Sequence, residues 1–323
     1  MKKLISVLLV LLLSACMLTG CGNKSDNKNG KLSVVATIFP EYDWVINILG
    51  EKADEADVTL LLDNGVDLHS FQPTTDDIIK ISRCDLFVYV GGESDEWVED
   101  VLKSAANKNM ITINLLDVLK DSIKEEELKD GMQVDNDDSE EDDETEYDEH
   151  VWLSLKNACV IVTAISDALG RLDGNNAAVY SANASNYIGK LNALDARYQA
   201  TVNAASKSTL LFGDRFPFRY LVDDYGLDYY AAFAGCSAES EASFKTVTFL
   251  ANKVDELNLA TVLTLEGTNH RIAESIVSAS KSKSTQILSI NSMQSVTAVD
   301  ISNGASYISI AKKNLDVLSN ALN

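Results

Sequence analysis

Two of the three histidines stand in segments whose residue types could bind a metal ion. His69 lies in the stretch "DLHSFQPTTDD", and His150 ends the acidic run "DETEYDEH". An imidazole nitrogen together with carboxylate oxygens suits Zn²⁺, and it also suits Mn²⁺ or Fe²⁺. A lone histidine is more often a hydrogen-bonded polar residue than a ligand. The metal interpretation therefore depends on where the fold places these two side chains.

The loop of His69 follows a segment that is typical of a buried strand, "DVTLLL". Thr74 and Asp77 have the spacing of a capping box, which predicts that a helix begins just after His69. Ligands of open α/β sheets bind outside the carboxyl ends of the strands, where such loops lie. His69 is therefore a candidate ligand.

Other candidate donors also follow strand-like segments. Asp214 follows "STLLFG", Glu266 follows "ATVLTL" and Asn291 follows "TQILSI". By the same rule we expect these side chains to converge on a cleft between two halves of the chain. His270 precedes a helix-like segment, and an exposed polar role is the default for such a residue.

Strand-like and helix-like segments alternate along the chain. The strands of the first half are "LSVVATIF", "DVTLLL", "CDLFVYVGG" and "NMITINLL", and those of the second half are "STLLFG", "LDYYAAF", "ATVLTLE" and "TQILSIN". Such alternation predicts mostly parallel sheets covered on both faces. The predicted fold class is α/β, with two lobes that each contain a mostly parallel sheet flanked by helices.

A long helix is predicted between the halves, because the apolar residues of 175–205 follow the helical period. A helix of roughly 30 residues is about 45 Å long, which is enough to run along both halves. We therefore predict an N-terminal lobe at 31–174, this linking helix, and a C-terminal lobe at 206–323. Inside the first lobe the segment 124–149 is nearly all acidic and polar, which predicts a loop.

The N-terminus has the pattern of a bacterial lipoprotein signal. Two lysines precede an apolar run that is too short to span a bilayer, and "LTGC" places Cys21 where lipid is attached. We predict a signal peptide at 1–20, a polar tether at 21–30 and a lipid anchor at the extracytoplasmic face of the cell membrane. The similar "LSAC" leaves Cys16 as an alternative lipidation site, and a short anchor without lipid is another interpretation.

The charge of the chain favours cations as partners. The formal net charge is −22, and it becomes −24 when Lys2 and Lys3 leave with the signal peptide. A surface this acidic argues against nucleic acid as a partner.

Three cysteines follow the signal and tether. Cys84, Cys159 and Cys236 lie far apart and form no C-x-x-C pattern, which argues against a zinc–thiolate cluster. We predict that they are buried small apolar residues, with at most one disulfide among them.

The two histidine segments resemble those of the metal-binding lipoproteins of ABC importers, the zinc and manganese receptors with the TroA-like or ZnuA-like fold. "LHSFQPTTDDIIKISRCDLFVYVG" is similar to the family's first-ligand segment, and "DEHVWLSLKNA" is similar to its second. "VVATIFPEYDWVINILGEKA" and "SYISIAKKNLDVLSNAL" resemble its opening strand and helix and its closing helix. The resemblance covers about 32–322.

The resemblance implies a receptor and not an enzyme. It implies two α/β lobes with a metal ion between them, which the protein delivers to an ABC permease in the membrane. It makes His69 and His150 the first two ligands, and we expect a monomer. Zinc is the expected ion, and the acidic residues 135–146 are expected to collect cations beside His150.

The resemblance leaves the rest of the ligand set open. Counting back from Tyr220 without gaps puts the third ligand at Arg215, whose cationic guanidinium cannot bind a metal. One inserted residue shifts it to Asp214, which we predict as the third ligand. Glu266, Asn291, a carboxylate of the acidic loop or water could complete the shell.

Alternatives remain at this stage. An aspartate in third place favours manganese or iron over zinc. From another class, a lipid-anchored metallohydrolase would need an open metal position and a general base, and the chain has no H-E-x-x-H or G-x-S-x-G motif. Cell adhesion is a further role that the sequence leaves open.

Overall fold

The computed structural model describes residues 30–133, 146–237 and 241–323. The predicted signal peptide, the tether up to residue 29, both lipidation candidates (Cys16 and Cys21) and the central part of the acidic loop lie outside these residues. Within the described part of the chain, no helix combines the length and the apolar character needed to cross a bilayer.

The N-terminal lobe is built on a sheet of four parallel strands. They are β1 (Leu32–Ala36), β2 (Ala56–Leu60), β3 (Leu86–Tyr89) and β4 (Ile111–Asn114), in the order β2-β1-β3-β4. The lobe also contains the helices α1 (Phe39–Leu49), α2 (Thr75–Arg83), α3 (Trp97–Ser104), α4 (Leu115–Leu119) and α5 (Leu155–Leu172). The middle strands contain runs of buried apolar residues, Val34 to Ala36 and Leu86 to Val88, as expected for a parallel sheet buried on both faces.

Side-chain caps determine where the two histidine segments end. The hydroxyl of Thr74 accepts a hydrogen bond from the backbone N–H of Asp77, which closes the predicted capping box and begins α2. Ser154 caps α5 in the same way by accepting from the N–H of Asn157. His69 and His150 therefore lie in short loops that end at well-defined helix starts.

The linking helix is α6 (Ala177–Ala204), 28 residues long. The phenol of Tyr187 donates to Asp43 of α1 over 3.0 Å, and that of Tyr198 donates to the carbonyl of Ala311 over 2.6 Å. The helix is therefore fixed to the first lobe near its middle and to the closing helix of the second lobe further along.

The C-terminal lobe repeats the plan of the first. Its strands are β5 (Thr209–Phe216), β6 (Asp228–Ala234), β7 (Thr261–Leu265) and β8 (Gln286–Ile290), all parallel, in the order β6-β5-β7-β8. Its helices are α7 (Arg219–Tyr225), α8 (Phe244–Leu257), α9 (Arg271–Ala279), α10 (Ala298–Ser302) and α11 (Tyr307–Ala321). One large apolar core includes side chains of both lobes and α6, and a smaller cluster lies between the second sheet and α8 and α9.

The predicted fold class is confirmed, and so are all eight strands. Several boundaries differ: β1 ends at Ala36, before the predicted residue 39, and β3 covers only Leu86–Tyr89 of the predicted 84–92. Leu115 and Leu116 begin α4 and do not extend β4, because Asn114 caps the helix by accepting from the N–H of Asp117. Strand β5 extends to Phe216, and its pairing with β6 shifts register after Phe212, which changes where the next residues point.

Candidate metal centre

His69 and His150 meet, although 81 residues separate them along the chain. Their Nε2 atoms are 3.3 Å apart, and their ring centres are 5.3 Å apart. Two nitrogens bound to one tetrahedral zinc ion at 2.0–2.1 Å lie about 3.3–3.4 Å from each other. The spacing of the two Nε2 atoms is therefore that of two ligands of the same ion.

The other nitrogen of each ring is held by a neighbour. Nδ1 of His150 lies 3.0 Å from Oδ1 of Asp148, and Nδ1 of His69 lies 2.7 Å from the hydroxyl of Ser94. A partner at Nδ1 orients the ring and leaves the lone pair of Nε2 for an ion. Tyr220 of the C-terminal lobe supports this arrangement by donating to the carbonyl of Asp148 over 2.8 Å.

The two imidazoles differ in their proton affinity. Burial, and after it the charge on His150, lowers the pKa of His69 to about 3. Burial also opposes a charge on His150, but carboxylates close by, first among them Asp148, raise the pKa of this imidazole above its ordinary value. The two imidazoles together therefore carry at most one positive charge near neutral pH, and that charge lies on His150.

A thiol completes the group. Sγ of Cys236 and the ligand nitrogens of the two histidines all lie within 4.8 Å of one another, and this is the group of three potential metal-binding side chains found within the described residues. Cys236 follows β6 by two residues, after Gly235. A Cβ at Gly235 would lie 3.0 Å from Cε1 of His150 and 3.0 Å from the carbonyl of Phe216. The absence of a side chain there lets the loop approach the imidazole.

The structure places Cys236 beside the two histidines, a position that the predicted structural role did not anticipate. All three described cysteines are free thiols, so the allowed disulfide is absent from the described residues. Cys84 is buried and Cys159 is half-buried, and neither belongs to the histidine group. The signal for Cys236 was present in the sequence, because it follows the strand-like segment "LDYYAAF" in the kind of loop that indicated His69.

Asp214 is not brought to the histidines. Its two carboxylate oxygens accept from the N–H groups of Arg215 and Leu265, over 2.9 and 3.1 Å. The register shift of β5 after Phe212 places Asp214 where it supports the backbone of β7. The gapless count places the neighbouring Arg215 at the third position. Its guanidinium donates to the carboxylate of Asp67 over 2.7 Å.

The candidates for a fourth ligand are also engaged elsewhere. The carboxylate of Glu266 accepts from the N–H and the hydroxyl of Ser292, each over 2.7 Å. The side-chain oxygen of Asn291 accepts from the N–H of Met293 over 2.7 Å. His270 lies at the start of α9 with its Nδ1 3.5 Å from the hydroxyl of Thr268, outside the group.

The sequence prediction missed the groups behind the histidines. Glu149 is buried, its Oε1 accepts from the N–H of Ser94 over 3.0 Å, and its Oε2 lies 3.8 Å from Nδ1 of His69. Burial raises the pKa of Glu149. Asp148 and Glu149 were visible in the sequence as the acidic pair before His150, but the contact of Glu149 depends on Ser94 of the 93–95 segment.

Sequence comparison identifies relatives along nearly the whole chain. The model of the family ZnuA, zinc-uptake complex component A, periplasmic, matches residues 34–321. The zinc-binding lipoprotein AdcA of Streptococcus pneumoniae is 32% identical over 98% of this chain. The chain spans 60% of the length of that relative. The high-affinity zinc uptake system protein ZnuA of Bacillus subtilis is 31% identical, with 96% of both chains covered.

Solved structures share the fold. The Zn(II)-bound ZnuA-like domain of Streptococcus pneumoniae AdcA superposes with a TM-score of 0.70 at 27% identity, over 90% of this chain and 99% of that one. The metal-dependent lipoprotein YcdH of Bacillus subtilis gives 0.72 at 28% identity, over 91% and 100% of the two chains. The laminin-binding adhesin Lmb of Streptococcus agalactiae gives 0.74 at 22% identity, over 90% and 100%, and shares the fold. The match of the family model over most of the chain, with the fold and the paired histidines, shows that the chain belongs to the ZnuA family.

Proposed function

We propose that this protein is an extracytoplasmic receptor that captures a zinc ion between His69 and His150 and delivers it to an ABC permease. The observation that carries the proposal is the 3.3 Å separation of the two Nε2 atoms, with both Nδ1 atoms held by partners. The names of the relatives, a zinc-binding lipoprotein and a zinc uptake system protein, support zinc as the ion.

The burial of the site supports capture over catalysis. The side chain of His150 has no exposed surface, and that of His69 keeps only 14% of its own. A catalytic zinc site keeps an open position for water or substrate, whereas these rings are enclosed between the lobes. The ion would enter from the side of His69.

The donor set supports zinc over manganese or iron. The argument for manganese rested on a carboxylate from Asp214, whose oxygens accept backbone hydrogen bonds. Nitrogen and sulfur donors suit zinc, whereas carboxylate and carbonyl oxygens suit manganese.

The acidic loop and the lipid anchor belong to the same proposal. The ends of the loop are paired, because the N–H of Glu126 donates to the carbonyl of Glu146 over 3.0 Å and the N–H of Asp148 donates to the carbonyl of Lys124 over 2.8 Å. The base of the loop is therefore held next to the segment that leads into His150, and we propose that the acidic run raises the local concentration of cations there. We also propose that lipid on Cys21 holds the protein, as a monomer, near the permease.

The ion-binding proposal is tested with purified protein and competition against a chromophoric chelator. We expect one zinc ion per chain in the wild type and in the control His270→Ala. His69→Ala and His150→Ala should each lose most of the affinity. Equal affinity in His150→Ala and the wild type would contradict the proposal. Deletion of residues 135–146 should slow zinc loading at low ionic strength, and an unchanged rate would remove the loop from the proposal.

A further inference from the structure

We infer that Cys236 is the third ligand of the captured ion, so that the site consists of two imidazoles and one thiolate. The inference rests on the proposed function and specifies the class of ion: zinc and softer divalent ions that accept sulfur, such as cadmium. The first lobe supplies His69 and His150, and the second lobe supplies Cys236. The ion would thus join the two lobes.

The geometry supports sulfur as the third donor. In a tetrahedral site with Zn–S near 2.3 Å and Zn–N near 2.0–2.1 Å, sulfur and nitrogen lie about 3.6 Å apart. The three ligand atoms already lie within 4.8 Å of one another. The thiol therefore has to move by only about 1 Å. It stands on a loop rather than within a strand, where such a movement is easily made.

The other predicted donors of the C-terminal lobe lie outside the histidine group and are engaged in hydrogen bonds. Asp214 accepts two backbone hydrogen bonds, and both oxygens of Glu266 accept from Ser292. Arg215 is a cation bound to Asp67 and has no lone pair to offer a metal ion. Cys236 is the residue of this lobe that joins the histidine group.

The close approach of Cys236 depends on its neighbours. Gly235 leaves room for the His150 ring, and the N–H of Cys236 donates to Oε1 of Glu126 over 3.3 Å. Glu126 in turn belongs to the paired base of the acidic loop. The loop that carries Cys236 is therefore held by Glu126, at the base of the acidic loop that leads to His150.

A thiolate ligand makes the site selective. Sulfur binds zinc and cadmium well, whereas manganese prefers oxygen. When the ion binds, the S–H bond breaks, the sulfur lone pair forms the bond to the metal, and the proton passes to solvent. Manganese would gain little from this donor, so removal of the thiol should reduce the preference for zinc over manganese.

Cobalt spectroscopy tests the inference directly. Co²⁺ is added to the zinc-free full chain, to Cys236→Ser and to the control Cys159→Ser. We expect a sulfur-to-cobalt charge-transfer band in the wild type and in Cys159→Ser, and none in Cys236→Ser. A band that persists in Cys236→Ser, or no band in a wild type that binds cobalt, would overturn the inference. Failure of the wild type to bind any ion would overturn the proposed function itself.

Affinity and reactivity provide two further readouts. Zinc affinity in Cys236→Ser should fall by at least about 100-fold, the upper end of what loss of a partner behind a ligand costs. Manganese affinity should change by less than about tenfold.

Zinc should also protect Cys236 from alkylation, measured by peptide mass mapping, while the half-buried Cys159 reacts at the same rate with and without zinc. Equal protection of both cysteines, or of neither, would contradict thiolate ligation. Equal thermal unfolding of the metal-free variants excludes a folding defect.

Discussion

Arg215 on β5 forms an ion pair with Asp67, the residue two positions before His69, with 2.7 Å between Nη2 and Oδ2. The second oxygen of Asp67 accepts from the N–H of His69 over 3.1 Å. Burial opposes a charge on Asp67, but Arg215 holds the pKa of this carboxyl below its usual range. A side chain of the C-terminal lobe therefore positions the loop that carries His69.

Loss of this ion pair should weaken zinc binding. In Arg215→Gln we expect the affinity to fall by about 10–100-fold and zinc release to accelerate, as for other partners behind metal ligands. Arg215→Lys should recover only part of the loss, because an ammonium lacks the planar fork of the guanidinium. The measurement is stopped-flow release into a chelator. The matched control is Arg197→Gln on the exposed face of α6, and a similar loss there would remove the special role of Arg215.

Asp148→Asn tests the orientation of His150. The carboxylate both orients the imidazole and raises its pKa, over an Nδ1–Oδ1 distance of 3.0 Å. We expect zinc affinity to fall by about 10–100-fold and the imidazole to titrate at lower pH in the metal-free protein. Nuclear magnetic resonance of the histidine ring follows the titration. The exposed Asp76→Asn is the control, and an unchanged pKa of His150 in Asp148→Asn would contradict the assignment.

Zinc affinity should fall as the pH falls, in two regimes. The pKa of Cys236 lies well above its ordinary value, chiefly because the thiol is buried, so each bound ion displaces the thiol proton throughout the neutral range. The raised pKa of His150 adds a second displaced proton below that pKa, whereas His69, with a pKa of about 3, adds none above pH 5. Each displaced proton changes the affinity by about tenfold per pH unit.

Calorimetry in several buffers, from pH 5.5 to 8.5, measures these protons. Cys236→Ser should release one proton fewer at every pH, so its affinity should level off above the pKa of His150. An affinity of the wild type that does not change with pH would argue against histidine and cysteine ligation alike.

Gly235→Ala should displace the loop that carries Cys236. Its added Cβ would meet Cε1 of His150 at 3.0 Å, and relief of such a contact costs about 1–3 kcal/mol. We expect lower thermal stability and lower zinc affinity together. The control is Gly189→Ala on α6, where a Cβ meets nothing within 4 Å and helix propensity favours alanine by about 0.5–1 kcal/mol. A Gly235→Ala protein with full zinc affinity would show that the close approach is dispensable.

Glu41→Gln should stabilise the metal-free protein in alkaline solution. Burial, and after it repulsion by Asp95, raises the pKa of Glu41 to about 8. Because this value exceeds the unfolded one of 4.5, the contribution of the neutral acid is complete below pH 4.5 and is lost as the pH rises through 8. The loss is on the order of a few kcal/mol.

Thermal unfolding of Glu41→Gln at two pH values checks this prediction. The melting temperature should rise by roughly 5 °C at pH 8.5 and should change little at pH 5. The exposed Glu51→Gln is the matched control. An equal effect of Glu41→Gln at both pH values would show that ionisation of Glu41 is not the cause.

The strands and the two histidines could be predicted because their signals are local. Apolar runs define the strands, and the loop after β2 and the acidic run before α5 contain His69 and His150. The third donor could not be placed in this way. Whether Asp214 points to the cleft depends on the register of β5 against β6, and the shift after Phe212 has no clear signal in the sequence. Cys236 was judged by its spacing from other cysteines, although its position after a strand was informative.

The attachment of α6 also constrains how an ion could leave. The same helix is hydrogen-bonded to Asp43 in the first lobe and to the carbonyl of Ala311 in the second, so it connects the two lobes rigidly. A continuous helix bound to both lobes resists a large hinge motion between them. Release of the ion would then begin with movement of the short loops that carry His69, His150 and Cys236. A docked permease would need to displace these loops rather than separate the two lobes.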